Sequence, residues 1–299
     1  MRVLVTGGAG FIGSHVVSLL TGRAEVVVLD DFSTGRRNHP AMKDCEVHEG
    51  SICDSGAVRA AMRDVDTVIH LAAWVSVPSS MADPLGTAER NVHGLLTTMQ
   101  AARESGAKRF VFASSAAVYG ENPEPMKTED ARPDPRSPYA ITKLDGELYG
   151  ALFQSEGWLQ TVSLRFFNVF GPGQSASSTY AAAVAAFMHQ AIHGDTIRID
   201  GDGLQTRDFI YVKDIASALV FAAQSGSMSG VYNVGYGKPV TILALARKIL
   251  ELTGSTSQIV HGPARAGDIR HSTCDPSRLL AAGWKPAYDL DSGLAEMTA

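Results

Sequence analysis

Cysteine is scarce: Cys45, Cys53 and Cys274 are the only three in 299 residues, and none stand at CxxC spacing. They form no disulfide framework and no usual zinc ligand set, so reduced thiols in a cytoplasmic protein are expected. Charge is scarce too. Charged residues make up 19% with a net charge of −5, which leaves no basic stripe for nucleic acid or an anionic membrane. Long apolar runs are missing as well. The longest stretch without a charged side chain, 166–194, is interrupted by Gly171-Pro172-Gly173-Gln174 and a Ser/Thr cluster, so no membrane span is expected there. Arg2-Val3-Leu4-Val5-Thr6 reads as a strand and not as a signal peptide.

What is present is alternation. Short β-branched runs at 2–6, 26–30, 45–48, 67–71, 109–114 and 161–166 are separated by stretches of helical period. That pattern predicts an α/β protein with a doubly wound parallel sheet covered on both faces. One helix is expected at 84–104, with Asn91 inside its apolar face, and another from Pro138 behind the cap Ser137. After Phe166 the pattern loosens into glycine-rich loops, an Ala-rich helix at 178–193, a helix after Asp214 and one from Thr241 to Gly254. We expect a first domain over 1–165 and a smaller α+β lobe over 166–299, with about 210–234 returning to the first domain.

Three segments carry chemistry. In Thr6-Gly7-Gly8-Ala9-Gly10-Phe11-Ile12-Gly13 the glycines sit between a strand and a helix start. There they permit a tight turn and bring backbone close to a pyrophosphate at a helix N-terminus. Asp30 closes the next strand, where a carboxylate accepts both ribose hydroxyls and repels a 2′-phosphate. NAD is therefore favoured over NADP. Tyr139 and Lys143 lie four apart on one helix face. Bringing a phenol to about pH 7 needs roughly 4 kcal/mol, which an adjacent ammonium and a cationic nicotinamide could supply. Such a pair alone is commonplace. The third segment, the apolar run into Ser114-Ser115, ends where ligands collect in a doubly wound sheet, so Ser115 could pass a proton to Tyr139. His189 and His193 have i, i+4 spacing but no third ligand, and no metal is expected.

With these segments in place the chain resembles an extended short-chain dehydrogenase/reductase, close to the UDP-glucose 4-epimerase group. Further matches are His70-Leu71-Ala72-Ala73, Asn91-Val92-x-Gly94, Leu164-Arg165-Phe166-Phe167-Asn168, Arg207-Asp208-Phe209 and Arg265-x-Gly267-Asp268. The resemblance implies a Rossmann-type sheet and catalysis by Tyr139, Lys143 and Ser115. For NAD it implies Gly7, Gly10, Phe11, Ile12, Gly13, Asp30, Asp31, Ser51, Ile52, Leu71, Ala72, Ala73 and Asn91, together with Tyr139 and Lys143. For a UDP-sugar it implies Ser76, Asn168, Arg207, Arg265, Asp268 and Ser272 beside Ser115 and Tyr139. It also implies a homodimer through the helices at 84–104 and 138–155. The two arginines fit a diphosphate on their own chemistry, each being read as part of a glycine-rich loop.

Departures from the family pattern narrow the reaction. Ala116-Ala117 follow Ser115, where related dehydratases carry Asp-Glu, and no cation follows Gly171-Pro172 to meet a uronate carboxylate. Serine at 51 replaces the usual aspartate at the adenine amine. The reading is an NAD-dependent 4-epimerase of a neutral UDP-hexose. Another sugar-nucleotide reaction, such as a net 4-ketoreduction or a uronate epimerisation, and a non-catalytic dinucleotide sensor are the alternatives. Ser272 resembles a gate position where a small residue admits a C2 acetamido group.

Overall fold

The computed structural model describes residues 1–175, 183–264 and 269–298. Six strands come first: β1 (Arg2–Thr6), β2 (Glu25–Asp30), β3 (Glu46–Glu49), β4 (Thr67–His70), β5 (Arg109–Ser115) and β6 (Gln160–Phe166). Between them run α1 (Phe11–Leu20), α2 (Ser55–Ala61), α3 (Val77–Ala82), α4 (Pro84–Ala88), α5 (Gly94–Ser105) and α6 (Pro138–Ser155). There follow β7 (Asn168–Phe170), α7 (Ala183–His193), β8 (Ile197–Asp200), β9 (Thr206–Tyr211), α8 (Val212–Gln224) and β10 (Gly230–Val234). Then come β11 (Pro239–Thr241), α9 (Ile242–Thr253), β12 (Ile259–Gly262) and β13 (His271–Ser272).

Seven strands build one parallel sheet in the order β10-β6-β5-β4-β1-β2-β3. Both of its faces are buried, which is why its strands read as continuous apolar runs. Val3 and Val5 of β1 face the core under α1 and α8, whereas Leu4 between them faces Val58, Leu95 and Phe153 on the other side. The sheet is the expected doubly wound, Rossmann-type α/β fold. α8 packs on α1 and β10 pairs with β6, so the chain comes back to the sheet after β9. The second lobe is built on short strands: β9 pairs with β7, β11 and β13, and β8 pairs with β12. α7 and α9 close it, with Phe187 and Met188 buried against Ile197, Leu245 and Ile249.

One helix differs from the expected outline. The segment at 84–104 is not one regular helix: α4 and α5 are joined by a π-helical turn at Glu89–His93. The Ala-rich helix is described from Ala183, and 178–182 lie outside the described residues. α6 begins where Ser137 caps it, the Ser137 hydroxyl accepting from Ala140 N at 3.1 Å. Among the described residues no helix is long and apolar enough to cross a membrane.

Candidate active site

The strand order reverses between β1 and β4, and a cavity opens there beyond the carboxyl ends of the strands. Its volume is about 1210 Å³, larger than a pocket for one small ligand. The first-lobe wall carries Gly7, Gly10, Phe11, Ile12 and Gly13, then Asp30, Asp31, Ser51 and Ile52, then Leu71, Ala72 and Ala73. Ser115, Tyr139 and Lys143 line the same cavity, as do Asn168 of β7 and Arg207 of β9.

The glycine turn fits a dinucleotide on steric grounds. Gly7 is left-handed with φ +69°, and a Cβ on Gly13 would stand 2.1 Å from the Gly7 carbonyl oxygen. Only glycine allows helix α1 to start so close to the turn. The N-cap Gly10 brings no side chain to the first amides of α1. These orphan donors face the cavity as an anion site. Asp30 is fixed by two backbone donors, Ala9 N to Oδ2 at 2.9 Å and Phe32 N to Oδ1 at 2.8 Å. Each of its oxygens keeps a lone pair for a ribose hydroxyl. Burial pushes this carboxyl up, and the two amides pull it back. Ser51 accepts from Cys53 N at 3.1 Å, which places its hydroxyl on the cavity wall.

Ser115, Tyr139 and Lys143 come together on the cavity wall, and burial acts on both titrating groups. Burial pushes the Tyr139 phenol above its ordinary value, and a hydrogen bond with Ser115 opposes this. The Lys143 ammonium donates to the Ala113 carbonyl at 2.7 Å, lies 5.8 Å from the Tyr139 ring centre, and is pushed down to about 7 by burial. Burial thus raises the phenol and lowers the ammonium beside it, so the lysine's charge is available to the phenol only below about neutral pH.

Four other residues are used differently from the expectation. Asn91 does not line the cavity: its amide holds Trp74, accepting from N at 2.7 Å and donating to O at 3.0 Å, and donates to Thr142 Oγ1 at 3.1 Å. Ser76 does not line it either, since its hydroxyl caps α3 by accepting from Ser79 N at 3.1 Å. Ser272 lies on β13, in register with Arg207, and is not on the cavity wall. Arg207 itself sits in strand β9 and not in a loop, donating to Thr206 O at 2.8 Å and Ile269 O at 2.7 Å. Arg265 and Asp268 lie outside the described residues. The wall also includes Trp74, Arg90, Gln190, Arg198 and Gln205, to which the sequence reading assigned no role, and Ser114, noted only as the neighbour of Ser115. Gln205 neighbours the quoted Arg207-Asp208-Phe209 and could have been found, whereas Arg198 carries no local signal.

His70, at the end of β4, is a fully buried core histidine. It pairs with Thr6 Oγ1 at 3.0 Å and is pushed down to about 3 by burial, with Lys143 adding to the effect. Its folded value lies below the ordinary 6.5, so the unfolded chain takes up the proton first. Stability is full above about pH 6.5 and falls as the pH drops towards about 3. His70→Asn is expected to move the acid-unfolding midpoint, followed by circular dichroism, to lower pH. An unchanged midpoint would remove His70 from acid denaturation.

Comparison with known proteins agrees with this layout. The chain is 35% identical over 311 residues to UDP-glucose 4-epimerase of Mycolicibacterium smegmatis, covering 99% of this chain and 97% of that protein. Among solved structures it superposes with TM-score 0.95 on the UDP-N-acetylglucosamine 4-epimerase of Methanobrevibacter ruminantium bound to UDP-N-acetylmuramic acid, at 39% identity, covering 99% and 96% of the two chains. It superposes with TM-score 0.92 on the Thermus thermophilus UDP-glucose 4-epimerase bound to NAD, at 37% identity, covering 99% and 97%. Residues 3–235 match the NAD dependent epimerase/dehydratase family. With the dinucleotide cradle, the Ser-Tyr-Lys face and the full-length likeness all agreeing, the chain belongs to the NAD dependent epimerase/dehydratase family.

Proposed function

We propose that the protein interconverts UDP-hexoses epimeric at C4, with NAD held through turnover. The observation that carries this reading is the meeting of Ser115, Tyr139 and Lys143 in one cavity between a dinucleotide cradle and a second lobe bearing Asn168 and Arg207. Bound NAD would supply the hydride acceptor and donor for the sugar C4, and a positive charge on its oxidised nicotinamide. Tyr139 takes the proton of the 4-hydroxyl through Ser115 and returns it on the other face. Lys143, anchored on Ala113, would hold the cofactor ribose. Asn168 and Arg207, with Arg265 and Asp268, grip the nucleotide while the hexose stays loose enough to turn over, since rate comes from contacts that do not lock one epimer. Ala116 and Ala117, in the 3₁₀ turn after Ser115, offer no group for dehydration.

The test is NMR of the purified holoprotein incubated, without added NAD, with UDP-glucose, UDP-galactose and their N-acetylated forms. Each substrate is expected to give its C4 epimer. Consumption of added NADH in proportion to product would overturn the reading in favour of a reductase.

The hexose follows from the wall around C2. Ser272 is the register partner of Arg207 on adjacent strands, which sets it next to a residue of the cavity wall without lining the cavity itself. A small residue here leaves room for an acetamido group. Ser272→Tyr is expected to lower kcat/KM on the N-acetylated pair by at least about tenfold relative to the plain pair. Equal losses on both pairs, or no wild-type activity on N-acetylated sugars, would remove this role.

The proposed assembly is a cytoplasmic homodimer. Ile141, Leu148 and Leu152 share one exposed side of α6, and Val77, Met81 and Leu85 are exposed on α3 and α4 nearby. A patch of that kind favours a partner surface. Light scattering at micromolar concentration is expected to give twice the chain mass.

A further inference from the structure

Arg90 and Trp74 are joined in a way the proposed chemistry does not use. Arg90 stands in the π-helical turn, its guanidinium carbon 4.2 Å from the centre of the Trp74 ring, and both residues line the cavity. The Trp74 backbone is held in place. Asn91, the next residue of the same turn, grips its backbone on both sides, accepting from N and donating to O. The inserted residue of a π turn re-aims the side chains around it, a device common at functional sites. Here one turn carries both the cation and the clamp on its aromatic partner.

The position along the cavity gives the stack its ligand. The π turn lies against the segment after β3: Cys53 Sγ donates to the Glu89 carbonyl at 3.5 Å, and Gly94 packs on Ile52. Ser51 and Ile52 line the same stretch of wall, beside Asp30 and Asp31 at the end of β2. That end takes the adenosine half of the dinucleotide in the proposed function, on which this inference rests. No described carboxylate is paired with Arg90, and Lys143 is the other cation on the first-lobe wall. A guanidinium backed by an indole is a flat, weakly hydrated plate, suited to stack on a purine with its second face.

We propose that the Trp74–Arg90 stack is the outer wall of the adenine pocket and sets how long NAD stays on the protein. An epimerase that returns the hydride to the sugar it came from gains from a cofactor that leaves slowly. The stack lies at the open side of the cradle, where it would act on release and not on proton transfer.

The experiment uses the holoprotein as purified. NAD content per chain is measured after extensive dialysis, and NAD release is followed by trapping free cofactor with a dehydrogenase, for wild type, Trp74→Ala, Arg90→Ala and Arg90→Lys. Thermal midpoints are measured on the same samples loaded with saturating NAD, to show that each variant is folded. Both alanine variants are expected to release NAD about tenfold faster than wild type, equivalent to about 1.4 kcal/mol. Arg90→Lys is expected to release it at the fast rate as well, because it keeps the charge but loses the plate. A lysine variant that holds NAD as wild type does overturns the stacking proposal in favour of a point charge. Alanine variants that retain NAD like wild type overturn it altogether. A wild-type protein that neither carries nor takes up NAD would instead sink the proposed function.

Discussion

Tyr139→Phe is expected to keep the fold and the bound cofactor while lowering kcat by about 10²–10⁴-fold, the usual worth of a positioned general acid/base. The change removes one oxygen from a side chain that is 9% exposed and leaves its ring in place, so packing is preserved. Proton transfer is not. Burial holds the phenol above its ordinary value and only Ser115 opposes it within the protein, so the phenolate depends on positive charge gathered beside it. Lys143, pushed down to about 7, loses its charge as the pH rises through neutrality. Lys143→Ala is therefore expected to cost a comparable factor, and most of it at low pH, where wild-type Lys143 is charged. Steady-state kcat for both variants across pH 6–9 decides the matter. Near wild-type kcat in Tyr139→Phe would remove Tyr139 from the mechanism.

Glu147→Ala should be the most damaging single change to stability, at about 3–5 kcal/mol. Glu147 is one helical turn beyond Lys143 on α6 and receives Arg165 through both oxygens, Nε to Oε1 at 2.8 Å and Nη2 to Oε2 at 2.7 Å. Ser114 donates to the same carboxylate. The side chains are 4% and 5% exposed, so removing the acid leaves a guanidinium buried without its counter-charge. Arg165 also donates to the Tyr119 hydroxyl, which donates to Asn233 Oδ1, so the pair ties α6, β5, β6 and β10 together. Denaturant midpoints are expected to fall sharply for Glu147→Ala. The double change Glu147→Leu with Arg165→Met, which removes both charges, is expected to recover much of the loss. A single variant as stable as wild type would show that Arg165 reaches solvent or another acceptor.

The frame of the molecule was legible because local chemistry and global packing agree there. β1, β2, β4, β5 and β6 stand within a residue of the apolar runs that mark them, since a parallel sheet buried on both faces has no polar alternation to blur it. α9 ends at Gly254, left-handed at φ +63°, as the glycine implied. The second lobe was less legible. Strands such as β7, β11 and β13 are two or three residues long, too short to show a period, and exist because β9 offers each a ladder from a distant part of the chain.

The candidate site divides in the same way. Residue type and spacing by themselves determined the glycine turn, the carboxylate at Asp30, the Ser115, Tyr139 and Lys143 set and, by resemblance, the family, because these demands are met by residues close in sequence or by motifs with little tolerance. Only the tertiary structure decided which polar groups remain available to a ligand. Asn91 and Ser76 looked equivalent to other candidates, yet the Asn91 amide holds Trp74 and Thr142 and the Ser76 hydroxyl accepts from the start of α3. It alone brought Arg90 over Trp74, and it alone set the charge state at the centre, raising Tyr139 and lowering Lys143. The physical reason is common to all of these: a side chain's partners and its desolvation are properties of the packed surroundings, which come from segments far apart in the chain and leave no periodic mark on it.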